Sequence, residues 1–62
     1  VIESGTIGFN EIESGGEALA VVRYDEDRVS LCLSIRSGAD LEVVMGKADA
    51  LRLVAALNKA LE

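Results

Sequence analysis

The chain has no histidine, no tryptophan and no proline, and it holds a single cysteine and two aromatic rings among 62 residues. Each absence closes a route to function. Without histidine, and with Cys32 alone, neither a zinc site nor a nucleophile–base pairing of the usual kinds can be assembled. One cysteine cannot form an intramolecular disulfide, so the chain is not a small secreted scaffold held by bridges, and a reducing cytoplasm is the expected compartment. No apolar run reaches the length of a membrane span, and no basic segment followed by an apolar one marks a signal peptide. The chain begins at Val1, not methionine, which leaves room for a preceding segment.

Positive charge is also scarce. Six Lys and Arg face eleven Asp and Glu, a net charge of −5. Phosphate binding rests on Lys and Arg, so this balance disfavours general affinity for nucleic acid or anionic membrane. Partnership with a basic protein, of the regulatory or immunity type, is a minor reading that rests on the charge alone.

What remains is half hydrophobic and almost wholly aliphatic: Ala, Val, Leu and Ile, with Phe9 and Tyr24 the only rings. Sixty-two residues allow one domain, near the lower limit for a single core. A chain this short, without disulfide or metal, finds missing burial in a second subunit. A homodimer or higher oligomer is therefore expected, with a different protein partner as the alternative.

The period of the apolar residues changes once along the chain. Strands are expected over residues 6–12, 17–24, 28–36 and 41–45. The third, RVSLCLSIR, is the clearest: Val29, Leu31, Leu33 and Ile35 point one way, and Ser30, Cys32 and Ser34 the other. Leu41, Val43 and Met45 would join the apolar set. Turns are expected at Glu13–Gly16, at Asp25-Glu26-Asp27 and at Ser37–Asp40. From 47 to 61, Ala50, Leu53, Val54, Leu57 and Leu61 recur at helical spacing, with Asp49 in the first turn and Lys59 in the last, where the helix dipole favours each charge.

These pieces predict an α+β domain over 1–62: a four-stranded antiparallel meander followed by one C-terminal helix packed on one sheet face, ββββα. Leu33 and Leu57 are both expected to be buried. The second strand presents one of two alternate sets to the helix. If Leu19 and Val21 face it, the opposite surface holds Ala18, Ala20, Val22, Tyr24, Cys32 and Val44, which is a candidate interface too apolar for water.

Motifs for chemistry are few. IESG occurs at Ile2–Gly5 and again at Ile12–Gly15. A phosphate-gripping loop needs strand, glycine loop and helix in that order. Neither copy precedes the helix, so both are expected to be strand punctuation. Cys32, mid-strand between two leucines, is expected to be a structural thiol. Asp25, Glu26 and Asp27 lack the spacing of a calcium loop and fit a solvated turn.

No catalytic, cofactor-binding or metal-binding residue is assigned, and an enzyme is not expected. Arg23, Arg28 and Arg36, with Tyr24 beside them, form a candidate contact for single-stranded nucleic acid through charge and stacking. Pairing of these arginines with Glu17, Glu42 and Asp27 is the competing expectation. In element order, four strands and a helix in a chain that needs a second copy, the sequence resembles the coactivator-type single-stranded-DNA-binding domains. That resemblance implies a dimer formed through the helices.

Overall fold

The computed structural model describes residues 2–62 and shows the meander and the helix. The order is β1 (Ile2–Asn10), β2 (Glu17–Tyr24), β3 (Arg28–Ile35), β4 (Asp40–Gly46) and α1 (Lys47–Ala60). The four strands form one antiparallel sheet in chain order, so β1 and β4 are its edges. The fold is the expected ββββα, with one difference: α1 makes little contact with the sheet and approaches only β3 and β4.

The turns explain the pairing. Between β1 and β2, Gly15 N–H donates to the Glu11 carbonyl at 2.8 Å, and Gly15 adopts a φ of 71° that glycine takes without steric cost. Between β3 and β4, Gly38 (φ 104°) closes a three-residue loop, and Ile35 N–H donates to the Ala39 carbonyl at 3.0 Å. Between β2 and β3 the turn is Glu26-Asp27 alone, since Asp25 N–H reaches the Arg28 carbonyl at 3.1 Å.

That two-residue turn corrects the expected arrangement of faces. A turn of three residues, 25 to 27, pairs Tyr24 with Arg28 and sets Val21 opposite Leu31. The observed register pairs Tyr24 with Val29, Val22 with Leu31, Ala20 with Leu33 and Ala18 with Ile35. A slip of one residue sends every side chain of a strand to the other face. Ala18, Ala20, Val22 and Tyr24 therefore lie with the apolar set of β3 on the helix side. Leu19 and Val21 lie on the reverse, where Val21 pairs with Cys32.

β1 is longer than expected and starts earlier. Its first residues, Ile2–Gly5, are strand rather than turn, with a bulge between Glu3 and Gly5. The second IESG copy begins at Ile12 in the β1–β2 loop. The two copies have different structures, and neither leads into the helix.

The molecule has almost no interior. Ala18 and Val21, each at 8% exposure, are the only buried apolar residues among those described, and no large side chain is fully buried. The Cα radius of gyration is 12.6 Å, where a compact domain of this length has about 10.6 Å. The extents are 34 × 30 × 15 Å, a slab. Leu33 and Leu57, expected to be buried, are both exposed.

Candidate interaction surface

Strand alternation and the observed register sort the side chains into two unlike faces. Partners directly opposite in antiparallel strands project to the same side. One face takes Ile2, Ile7 and Phe9 from β1, the alanine-to-tyrosine set of β2, Val29 to Ile35 of β3, and Leu41, Val43 and Met45 of β4. It contains no charged residue. It is continuous across all four strands, and Ile7, Phe9, Leu33, Leu41 and Val43 on it are exposed.

The reverse face is a lattice of polar contacts. Arg23 Nη1 lies 3.8 Å from Glu42 Oε2, and Ser30 Oγ donates to the same oxygen at 2.9 Å. Arg36 meets Glu17 at 3.8 Å, and Thr6 Oγ1 donates to Glu3 at 2.6 Å. At the hairpin end Arg28 Nη2 donates to Asp25 Oδ2 at 2.9 Å. This hydrogen bond, ahead of any other cause, holds the Asp25 carboxyl below its ordinary pKa and raises that of the Arg28 guanidinium. Glu11, in the β1–β2 loop, is lowered as well, first by accepting the Ser14 backbone N–H. All these pairs are open to water, where such contacts are individually weak.

The residues expected to form an interface are split by this arrangement. Ala18, Ala20, Val22 and Tyr24 lie together on the apolar face. Cys32 and Val44 lie on the polar one, opposite Val21 and Ser30 respectively. Cys32 is a half-buried free thiol. The candidate nucleic-acid set is divided too. Arg23, Arg28 and Arg36 belong to the polar face and each is engaged by a carboxylate, whereas the register puts Tyr24 with the apolar set, although it borders a hollow at the hairpin end together with Arg23 and Arg28. The partners are Glu42, Asp25 and Glu17, so Asp25 takes the place expected of Asp27.

The helix adds a second uncovered apolar surface. Gly46, in extended conformation at its N-cap, joins β4 to α1 with no intervening loop, which fixes the start of the helix beside the sheet. The stripe then rises away from the sheet. Ala50 is half-buried, and Leu53, Val54, Leu57 and Leu61 are 39, 51, 56 and 83% exposed in turn. Between the first turns of α1 and the β1–β2 side of the sheet runs a mainly apolar groove of about 370 Å³, lined by Val22, Tyr24 and Val29 below and Ala50, Leu51 and Val54 above, with Ser4 and Lys47 at its edge.

No known protein family, curated protein or solved structure matches this chain. Its surfaces have to be read from their own chemistry. Among the described residues no cluster of three or more His, Cys, Asp or Glu is placed to hold a metal ion, and no helix is long and apolar enough to cross a membrane. What the geometry offers is a flat, uncharged sheet face and an exposed helical stripe. Together they call for an oligomer or a partner. The signal that locates this surface was present in the strand alternation. What the sequence concealed was the parity of β2, which a single turn residue decides.

Proposed function

We propose that this chain is a small, non-enzymatic interaction module that works as a homodimer or higher oligomer through the apolar face of its sheet. One observation supports this above the others: an uncharged apolar surface running across all four strands with nothing but the first turns of α1 near it. The solvent-accessible surface of the chain is 5000 Å². A folded monomer of 6.5 kDa exposes about 3,800 Å² by the scaling of known structures. The excess, about 1,200 Å² per chain, is more than the roughly 800 Å² that each partner gives to an interface of standard size.

Charge favours a second copy as the partner. Two chains of net charge −5 repel through most of their surfaces. They can meet through the one face that carries no charge, and so keep their carboxylates in water. The alternative role of single-strand nucleic-acid binder draws no support from the arginines, which are occupied by carboxylates on the face opposite Tyr24.

Light scattering after size-exclusion chromatography, over a concentration series, tests the reading. A mass of twice 6.5 kDa or a higher multiple is the expected result. A monodisperse monomer at high concentration, still showing a cooperative thermal transition, would overturn it.

A further inference from the structure

The helix and the sheet face are both uncovered, and they are uncovered at opposite ends. α1 starts beside Met45 and Tyr24, at the hairpin end of the sheet, and its stripe loses contact as it advances from Leu53 to Leu61. At the far end of the same face, Phe9, Leu33 and Leu41 are exposed at 45, 39 and 59%. One chain thus carries a helical ridge with no sheet under it and a sheet with no helix over it.

From this we infer that α1 of each copy lies across the open end of the other copy's sheet, a reciprocal helix exchange about a two-fold axis. The inference rests on the homodimer reading and adds its geometry. A two-fold interface lets surface i meet surface j and j meet i at once, so the two different uncovered patches of one chain are satisfied by the same contact. A face-to-face pairing of sheets alone would cover Leu33 and Leu41 but leave Leu57 and Leu61 in water.

The size of the parts fits. Fourteen residues of α1 make a rod of about 21 Å at 1.5 Å per residue. Four strands span about 14 Å between outer strands, so one helix can cross the whole sheet of a partner. The centre of the open end is low as well. Ala18 and Ala20 on β2 sit between Ile7 and Phe9 on one side and Leu33 and Ile35 on the other, which leaves depth for an incoming helical ridge.

Cysteine cross-linking tests the exchange. In a Cys32→Ser background, one chain carries Leu57→Cys and a second, distinguishable by a mass tag, carries Ala20→Cys. After mixing, subunit exchange and mild oxidation, the mixed disulfide should exceed either homodisulfide by roughly ten-fold, because only cysteines with Cα atoms within about 7 Å can close. Leu41→Cys replaces Ala20→Cys if that variant does not fold. If the chain is dimeric by light scattering but Ala20→Cys homodisulfides predominate, sheets pair directly; the exchange is overturned and the homodimer stands. If the Cys32→Ser parent is monomeric, both readings fall together.

Discussion

The two faces of this sheet are built from the same four strands and do opposite work. On one, every paired position contributed by β1 to β4 is apolar, glycine or tyrosine; on the other, carboxylates, arginines and hydroxyls pair around Leu19, Val21, Cys32 and Val44. The polar face is complete as it stands, since its charges find partners within the chain or in water. The apolar face is incomplete. A strand that alternates cleanly specifies which side needs covering but not what covers it, and here the chain's own helix covers only a corner.

Substitutions of like size on the two faces should give unlike effects. Leu33→Ala, on the apolar face, is expected to destabilise the assembled protein by about 2–5 kcal/mol, the range for a leucine in a closed core. Val44→Ala, on the polar face, should cost less than about 1 kcal/mol, as exposed positions do. Urea denaturation of both at one protein concentration checks the contrast. Equal effects would remove the distinction between the faces.

Leu57→Ala sharpens the comparison from the helix side. Within a single chain Leu57 is more than half exposed, so its truncation should hardly change a monomer. In an assembly that buries it, a loss of about 2 kcal/mol corresponds to roughly thirty-fold weaker association. The sign to look for is a melting temperature that depends more strongly on concentration than in the parent.

Backbone effects come next. Gly38→Ala forces a side chain onto a φ of 104° and should cost about 1–2 kcal/mol. Gly8, in strand conformation with open space where a Cβ would stand, should accept alanine with no loss. Thermal melts of the two glycine variants, side by side, measure the difference.

The smallest effect concerns pH. Asp25 has a carboxyl pKa lowered in the native state, chiefly by the Arg28 hydrogen bond. A depressed native pKa contributes stability that is complete above the unfolded-state value and is lost as pH falls through the native one. Asp25→Asn should therefore lower stability slightly at neutral pH, leave it unaltered below the native pKa, and so flatten the acid limb of a stability–pH curve. An acid limb as steep as the parent's would show that the pair contributes nothing.

Much of the architecture was legible in the sequence, for identifiable reasons. RVSLCLSIR alternates with period two and formed β3; EALAVVRY formed β2 over the expected residues, despite an alanine-rich half that suits helix; the stripe from Ala50 to Leu61 formed α1. Where Gly5 and Ser4 pointed to a turn, the strand absorbed them in a bulge, because an edge strand tolerates a local irregularity that a central one does not. The two failures share a cause. β2 is apolar at Ala18 through Val22 on both alternations, so its own residues could not choose a face, and the turn chose instead. The helical stripe likewise defined an apolar side without specifying whose sheet it meets.

The turn at Glu26-Asp27 therefore acts as a parity switch on the whole surface. Lengthening it by one residue and slipping the register of β2 against β3 by one would exchange the inward and outward sets of β2 and bring Arg23 in among leucines. Lengthening it by two would restore them. In the descent of such a chain, this hairpin can gain or lose residues in pairs with little penalty, and singly only if the sheet is rewritten with it.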